Sequence, residues 1–459
     1  MFFEKEKQRH QHKISEFQAI VLAGYGSSNR LYPLTEEENL PKSLLPVANR
    51  PLISYTLDWL EKAGITEVMV LTQTNNSAVQ KLSAYIRSYS SALHLNLITI
   101  DDDVAGTADA LRIVKDKIDS DFIVLSCDMI TDLIPSDILD YHRVQDPTVT
   151  ALFYEPGKFE GGGSGKSEGG KEADTTQYVG IDTSKSRLVY VGGASADGDF
   201  TLRMSLLWKF PRVTVHTNLR DAHLYIFKHW VIDLISAKEN MSSIRLDLLP
   251  LLVKCQYQRN LVVREGIVQI AKAGLASSIS LDPAVLALST TADLEEDEKA
   301  LADSHGFVSP VKAQVYVFRQ GFCERGNTVA SYCDLNRHIL KQSTITRVPP
   351  SAEVSPKAQV GFDSMIGEHT RIDERSSVKR STIGAHCVVG KGVKISNSVV
   401  MDHVVVEDNV KLDNCVVCNH VRILEKAQLK DCEVAGGMTV EKESQVKGEQ
   451  LGRGLLSRE

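Results

Sequence analysis

Three segments in the first part of the chain place glycines or a carboxylate after a strand-like apolar run. Gly24 and Gly26 follow the run at 18–22, Gly106-Thr107 follows a run at 95–100, and Asp128 follows a run at 121–126. Ligands of sheets built mainly from parallel strands bind at the carboxyl ends of the strands. These segments therefore mark a candidate ligand-binding site.

Two other groups of residues have spacings that suggest metal chemistry. Cys415-x-x-Cys418 has the spacing of half a zinc site, but no second C-x-x-C pair completes it. Four histidines that recur every seventeen residues are compatible with a metal or acyl-transfer column: His369, His386, His403 and His420. We favour a structural interpretation, because histidine is among the residues that tolerate positive φ at a repeated corner. We predict no metal site and no cofactor.

The segments around the candidate site alternate between strand and helix patterns. Strands are predicted at 18–22, 67–72, 95–100 and 121–126, and helices at 51–63, 77–89 and 107–118. Pro51 suits the first turn of the first helix, and Gly64 suits the position after its end. This alternation favours an α/β, Rossmann-like domain with a mainly parallel sheet and helices on both faces.

The stretch LAGYGSSNRLYPLTEEENLPKSLLPV, which starts at Leu22, resembles the signature of the sugar-phosphate nucleotidyltransferases. The resemblance implies a glycine loop and an arginine that hold a triphosphate, and a lysine that contacts phosphate. It also implies an aspartate that binds magnesium and a turn that receives the nucleoside. By position, these roles fall to Gly24, Gly26, Arg30, Lys42, Asp128 and Gly106-Thr107.

Departures from that signature fall inside the phosphate loop. Tyr25 stands where the enzymes have a second glycine. Five residues, Tyr25 to Asn29, separate Ala23-Gly24 from Arg30, where the enzymes have four. Asp128 follows Cys127 instead of glycine. Losing one preorganised donor costs about 3–4 kcal/mol of transition-state stabilisation. We therefore expect a nucleotidyltransferase fold with a vestigial pocket and no catalytic residues.

The last part of the chain carries a seventeen-residue repeat. Written in rows from Ser364, it places branched aliphatic residues in three columns: Ile366, Ile383, Val400, Val417, Val434; Ile372, Val389, Val406, Ile423, Val440; and Val378, Ile395, Leu412, Leu429, Val446. This spacing predicts three-sided coils stacked around an aliphatic core, with Val354 and Val360 in a partial coil before the first. The resemblance to hexapeptide-repeat proteins implies a left-handed parallel β-helix. We expect its apolar side positions, such as Val399, Val405 and Val416, to form protein interfaces.

Composition changes divide the chain. We predict a tail at 1–15, an α/β domain at 16–285, an acidic loop and connecting segment at 286–345, a β-helix at 346–450 and a tail at 451–459. The Gly/Ser/Lys/Glu-rich stretch within 158–176 cannot bury a core and is expected to be a flexible loop. The segment from Cys323 to Leu340 resembles the one that joins the two domains in subunits of the translation initiation factor 2B complex.

Overall charge and apolar content exclude several classes of protein. The formal net charge of −7 argues against a chain that coats nucleic acid or anionic lipid. No run reaches the roughly 18 apolar residues of a membrane span. The charged start, MFFEKEKQRHQHK, lacks the apolar stretch of a signal peptide. These features predict a cytosolic protein.

The order of domains, the altered glycine loop and the joining segment together resemble the gamma-subunit family of the initiation factor 2B complex. The resemblance implies a non-catalytic regulatory and structural subunit. It would pair with the epsilon subunit, join the alpha, beta and delta subunits, and promote GDP–GTP exchange on initiation factor 2. The alternative is an active sugar-phosphate nucleotidyltransferase of the mannose-1-phosphate guanylyltransferase type, which has the same order of domains.

Overall fold

The computed structural model describes most of both predicted domains. It covers residues 16–24, 28–36, 39–74, 76–101, 106–156, 177–193, 201–271, 309–342 and 347–452. The predicted tail at 1–15, the predicted loop at 158–176 and the acidic stretch at 289–305 lie outside the described residues.

Among the described residues, the first domain contains a ten-stranded sheet in the order β11-β9-β10-β13-β8-β12-β6-β1-β4-β5. Its strands are β1 (Phe17–Leu22), β4 (Glu67–Gln73), β5 (His94–Ile100), β6 (Asp121–Ser126), β8 (Val149–Tyr154), β9 (Gln177–Asp182), β10 (Arg187–Gly193), β11 (Val213–His216), β12 (Arg220–Phe227) and β13 (Ala313–Phe318). Two small sheets pair β2 (Pro46–Val47) with β3 (Arg50–Pro51), and β7 (Met129–Thr131) with β14 (Cys323–Arg325).

The half of the sheet that carries the candidate site is parallel, as predicted. β5, β4, β1 and β6 pair in parallel, whereas β12 pairs antiparallel with both β6 and β8. Successive residues of β1 point to opposite faces, so Ile20 and Leu22 join one apolar core while Ala19 and Val21 join the other. The carboxyl ends of these four strands therefore lie at one edge of a layer that is buried on both faces.

Among the described residues the helices with defined bounds are α1 (Leu52–Lys62), α2 (Asn76–Ser88), α3 (Thr107–Ile113), α4 (Pro135–Gln145), α5 (Met204–Lys209), α6 (Trp230–Ala237), α7 (Leu249–Cys255), α8 (Arg259–Arg264) and α9 (Val329–Gln342). Helices α1–α4 and α6–α8 cover these two faces, and α5 and α9 pack elsewhere. α1 buries Ile53, Leu57 and Leu60 on one side, and Gly64 follows its end with a φ of 73°. In the part of the chain that the structure describes, no helix is long and apolar enough to cross a membrane.

The first domain extends beyond the predicted boundary at 285. β13 (Ala313–Phe318) pairs in parallel with β8 and antiparallel with β10, so it lies inside the main sheet. We predict this strand in the connecting segment because it follows a long acidic stretch. The order of strands in a sheet does not follow from their order along the chain, and here a strand from residues 313–318 lies between two strands that precede it in the sequence.

The second domain is a parallel β-helix with three sheets, which we call sheets I, II and III. Sheet I comprises β15 (Glu353–Val354), β18 (Arg371–Ile372), β21 (Val388–Val389), β24 (Val405–Val406), β27 (Arg422–Ile423) and β30 (Thr439–Val440). Sheet II comprises β16 (Gln359–Val360), β19 (Ser377–Lys379), β22 (Lys394–Ser396), β25 (Lys411–Asp413), β28 (Gln428–Lys430) and β31 (Gln445–Lys447). Sheet III comprises β17 (Met365–Ile366), β20 (Thr382–Ile383), β23 (Val399–Val400), β26 (Val416–Val417), β29 (Glu433–Val434) and β32 (Gln450–Leu451).

The three predicted aliphatic columns form the core of this β-helix. Their residues belong to one apolar cluster, in which Val446 is partly buried near the last coil. The predicted partial coil before the first is present, since Val354 pairs with Ile372 and Val360 with Val378. The last strand extends to Leu451, one residue beyond the predicted end of the β-helix.

The recurring histidines lie at corners with left-handed backbone. The φ angles of His369, His386, His403 and His420 are 54°, 55°, 57° and 58°. Their rings stack in sequence, with centroids 5.1, 5.0 and 4.9 Å apart. A repeated corner conformation therefore accounts for the repeated residue type, as the structural interpretation predicted.

Sheet III packs against the first domain. Val399, Met401 and Val416 are buried in one apolar cluster with Leu45 of the first domain and Tyr332 of α9. The expectation that Val399 and Val416 serve an interface with another protein is therefore wrong, because the chain covers them itself. Val405, on sheet I, remains half-exposed.

Polar contacts of the β2–β3 turn join α9 on one side and sheet III on the other. Asn336 Oδ1 accepts a hydrogen bond from Ala48 N at 3.0 Å, and its Nδ2 donates to Tyr332 O at 3.0 Å. Asn49 Nδ2 donates to Ile383 O of sheet III at 3.0 Å. A buried amide that satisfies two backbone groups fixes α9 against the β2–β3 turn, and this places the connecting segment beside the candidate site.

Candidate functional site

The structure brings two of the predicted residues into direct contact, and these are Lys42 and Asp128. Lys42 begins a short 3₁₀ turn whose Ser43 and Leu44 are buried, and Asp128 lies between β6 and β7. Arg30 is exposed in a 3₁₀ turn at Ser28–Leu31.

The predicted glycines differ in what the structure shows of them. Gly24 follows β1, where an added Cβ would lie 3.0 Å from Gln73 N at the end of β4. Close packing of neighbouring strand ends therefore favours glycine at this position. Gly26 lies outside the described residues.

Asp128 is completely buried and is held by two cations of the chain. Lys42 Nζ lies 2.5 Å from Asp128 Oδ2. Arg325 donates from Nε to Oδ1 at 3.1 Å and from Nη2 to Oδ2 at 3.2 Å. The guanidinium also reaches Ser126 Oγ at 3.2 Å. Both carboxylate oxygens therefore accept hydrogen bonds from a bidentate arginine, and one also faces an ammonium.

The balance of charges keeps Asp128 ionised. Burial acts to raise the pKa of Asp128, but the charges of Arg325 and Lys42 outweigh burial and hold this pKa well below its usual range. In turn, burial acts to lower the pKa of Arg325, and Asp128 reverses that effect and raises it. The carboxylate is thus a buried anion whose charge the chain itself neutralises.

The local fold explains why Arg325 reaches this carboxylate. β14 pairs antiparallel with β7, and this pairing sets Arg325 opposite Met129, the residue after Asp128. Gly326 N donates to Asp128 O at 2.9 Å and fixes the register. Sequence reasoning missed Arg325, although one signal was present: Glu324-Arg325 is a charged pair directly after the apolar Phe322-Cys323.

These residues do not fit a magnesium site as they stand. Magnesium in nucleotide enzymes is held by carboxylate oxygens that are free to coordinate it. Here a guanidinium occupies both oxygens of Asp128, and an ion would have to displace it. Among the described residues, no group of three or more His, Cys, Asp or Glu side chains has an arrangement that could hold a metal.

Other buried acids near this end of the sheet also have partners within the chain. Glu324 Oε1 accepts a hydrogen bond from Tyr154 Oη at 2.8 Å, and Arg220 lies 3.8 Å away. Asp221 accepts a hydrogen bond from the Tyr225 hydroxyl. Burial raises the pKa of both carboxyl groups. These acids are therefore satisfied within the chain, whereas His223 Nε2 and Ser43 Oγ are buried without a hydrogen-bond partner among the described residues.

The Gly106-Thr107 turn is used for packing. A Cβ at residue 106 would lie 2.0 Å from Ser242 O, so only glycine fits this close approach. Ala108 N donates to Ser242 O at 2.8 Å, and Thr107 Oγ1 accepts from Ile244 N at 3.0 Å. The backbone amide of Ala108 and the Thr107 hydroxyl therefore bind a loop of the same chain.

Two family models match the chain. The first, described as nucleotidyl transferase, matches residues 18–161. The second, described as the eIF2B subunit epsilon LbH domain, matches residues 348–446 and agrees with the predicted left-handed β-helix. Each match falls within one of the two domains described above.

Curated relatives extend the similarity over most of the chain. Translation initiation factor eIF2B subunit gamma of Schizosaccharomyces pombe is 41% identical over 368 residues, which cover 79% of this chain and 74% of the relative. The subunit of the same name in Dictyostelium discoideum is 31% identical, over 80% of this chain and 87% of that one. A mannose-1-phosphate guanyltransferase of Candida albicans is 30% identical, but over 30% of this chain and 39% of the enzyme. The chain therefore belongs to the family of eIF2B gamma subunits.

Proposed function

We propose that the chain is a non-catalytic regulatory and structural subunit of the cytosolic translation initiation factor 2B complex. It pairs with the epsilon subunit and, through the complex, with the alpha, beta and delta subunits. In this role it promotes GDP–GTP exchange on initiation factor 2 without binding metal or performing chemistry of its own. Membership in the gamma-subunit family supports this role in the complex.

The observation that carries the non-catalytic part of the proposal is the occupied carboxylate of Asp128. A nucleotidyltransferase needs this carboxylate to bind magnesium and to bring phosphate oxygens to it. In this chain the Arg325 guanidinium, on a strand that pairs with β7, binds the carboxylate oxygens that magnesium would need. Displacing a bidentate, buried guanidinium would leave a second buried charge without a partner, which is costly.

The continuous core between the domains supports the structural part. The first domain, α9 and sheet III share one apolar cluster, and the side chains of Asn336 and Asn49 add hydrogen bonds to Ala48 N and Ile383 O. The two domains are therefore expected to move as one body, which suits a subunit that fixes the relative positions of larger partners.

The exchange reaction provides the first test. Initiation factor 2 loaded with fluorescent GDP is mixed with the epsilon subunit, with this chain, or with both after co-purification. We expect the chain alone to release no GDP and the pair to release it faster than epsilon alone. Failure of the chain to co-purify with epsilon, or an unchanged rate in the pair, would contradict the proposal.

A second assay addresses the alternative, an active nucleotidyltransferase. The chain is incubated with GTP, mannose 1-phosphate and magnesium, and pyrophosphate release is measured. We expect no release above the blank. An activity that disappears in the Asp128→Asn variant would establish chemistry at this site and would refute the non-catalytic assignment.

A further inference from the structure

The three faces of the β-helix differ in how their outward side chains are neutralised. Sheet III is covered by the first domain. Sheet I is exposed, but its arginines have acidic partners just after the strands: Arg371 lies 3.4 Å from Asp373, and Arg422 lies 3.6 Å from Glu407. Sheet II presents five exposed lysines: Lys379, Lys394, Lys411, Lys430 and Lys447.

Four of the five lysines of sheet II face another lysine, and Lys379 faces Ser396. Lys394 is the direct partner of Lys411 on the adjacent strand, and Lys430 is the direct partner of Lys447. Adjacent strands lie about 4.8 Å apart, and like charges that face each other at this distance are destabilising. The chain therefore keeps two unfavourable contacts on one flat surface.

Little negative charge offsets these lysines. Within the strands of sheet II the acidic side chain is Asp413, which lies 3.9 Å from Lys430 and accepts a hydrogen bond from Ser396 at 2.8 Å. In the described part of the chain, the other four lysines have no carboxylate within 4 Å.

The charged residues at the neighbouring corners form pairs among themselves. Lys426 lies 2.8 Å from Glu443, Lys442 lies 2.8 Å from Glu425, and Arg380 lies 3.4 Å from Asp363. These corner acids are thus engaged with corner bases. The lysines of sheet II therefore give this flat face an excess of positive charge, on a chain whose formal net charge is −7.

We propose that the face of sheet II docks an acidic α-helical segment of a partner protein. The lysines extend over four strand spacings, from Lys379 to Lys447, or about 19 Å. Acidic residues repeated on one face of an α-helix recur about every 5.4 Å, close to the spacing between the strands. A helix lying along the axis of the β-helix would bring carboxylates to successive lysines and relieve their repulsion.

The composition of the face favours an acidic protein over nucleic acid. Single-stranded nucleic acid binds where aromatic side chains alternate with basic ones, so that bases can stack. The strands of sheet II contain no aromatic residue, and Phe362, exposed at a corner, is a single ring and not a row. The negative charge of the whole chain would also repel a long polyanion.

Fluorescence anisotropy with two labelled peptides tests the proposal on the full chain. One is an alanine-based helix of about 18 residues, or about five turns, with glutamates along one face. The other has glutamine at the same positions. We expect the glutamate peptide to bind more tightly and to weaken as salt is raised. The Lys394→Glu/Lys411→Glu variant should bind it about tenfold more weakly.

A matched variant separates the local effect from the change in net charge. Arg371→Glu/Arg422→Glu makes the same charge change on sheet I, and we expect its affinity to stay within about twofold of the unaltered chain. Equal weakening by the two double variants would overturn the proposal. Equal binding of the glutamine peptide, or tighter binding of single-stranded RNA of the same length, would overturn it as well.

A single substitution distinguishes weaker peptide binding from loss of folding. Lys411→Glu sets a glutamate opposite Lys394, and an opposite-charge pair across adjacent strands is favourable. We expect its thermal midpoint to equal or exceed that of the unaltered chain while peptide binding falls. A lower midpoint together with unchanged peptide binding would show that the stacked lysines stabilise the fold instead of serving a partner.

Discussion

Removing the Arg325 guanidinium should destabilise the first domain far more than an ordinary surface substitution. In the Arg325→Met variant, Asp128 stays fully buried and keeps Lys42, whose side chain is 23% exposed, as its remaining cation. Breaking a buried ion pair from one side costs about 3–5 kcal/mol. Because Lys42 remains, we expect about 3 kcal/mol, at the lower end of that range.

Urea denaturation followed by tryptophan fluorescence measures this cost in the appropriate domain. The three tryptophans, Trp59, Trp208 and Trp230, all lie in the first domain. The double variant Asp128→Asn/Arg325→Met should cost less than the sum of the two single variants, because it removes both charges together. The expected coupling is about 1–3 kcal/mol. Additive single effects, or a loss below about 1 kcal/mol for Arg325→Met, would refute the assignment of Arg325 as the principal counter-ion.

The acid dependence of stability gives a second measurement on the same residue. The folded pKa of Asp128 lies below its unfolded value of about 3.9, because Arg325 and Lys42 outweigh burial. The contribution of ionised Asp128 to the free energy of unfolding is therefore complete above about pH 3.9, the unfolded pKa, and is lost as the pH falls below it, by up to about 1.4 kcal/mol per pH unit. Asp128→Asn should lack this component. Parallel acid profiles of the two proteins would contradict the reasoning.

Three further outcomes are expected. Gly106→Ala should destabilise the first domain by about 1–3 kcal/mol, since its Cβ would meet Ser242 O at 2.0 Å, whereas Gly193→Ala, with nothing within 4 Å, should change the urea midpoint little. Burial lowers the pKa of His142 to about 4, so the contribution of the neutral imidazole to the free energy of unfolding is complete above about pH 6.5 and is lost as the pH falls toward 4. In the His142→Gln variant, the free energy of unfolding in urea should fall by about 3 kcal/mol less over that pH interval. Leu412→Ala, at a fully buried position of the β-helix, should cost about 2–5 kcal/mol by circular dichroism, and a loss under about 1 kcal/mol would contradict the packed core.

Short-range periodic patterns could be predicted from the sequence, and contacts between distant segments could not. The aliphatic columns of the β-helix follow from a fixed spacing, because a coil that buries one residue per side must repeat that residue type. The same holds for the alternating strands and helices before Asp128. The identity of the outward face that meets the first domain has no such rule, so Val399 and Val405 looked equivalent although Val399 is buried and Val405 is half-exposed.

The candidate site divides in the same way. Lys42 is predicted from a local motif and Asp128 from its place after a predicted strand, and the structure brings the two side chains into contact. Arg325 lies 197 residues after Asp128, in the segment predicted to connect the two domains. Its role depends on β14 pairing with β7, and antiparallel pairing between remote short strands leaves no periodic trace in the sequence.

The fixed length of each coil also constrains how this domain can change over evolution. Every coil from Ser364 onward takes seventeen residues, and each aliphatic column depends on that count. Gaining or losing one whole coil keeps all the others in register and alters only the height of the column. A single-residue insertion within a strand would point the following aliphatic side chains outward and the following polar side chains into the core. Length differences among homologous β-helices should therefore come in whole-coil steps or be confined to bulging corners, which an alignment of such sequences can check.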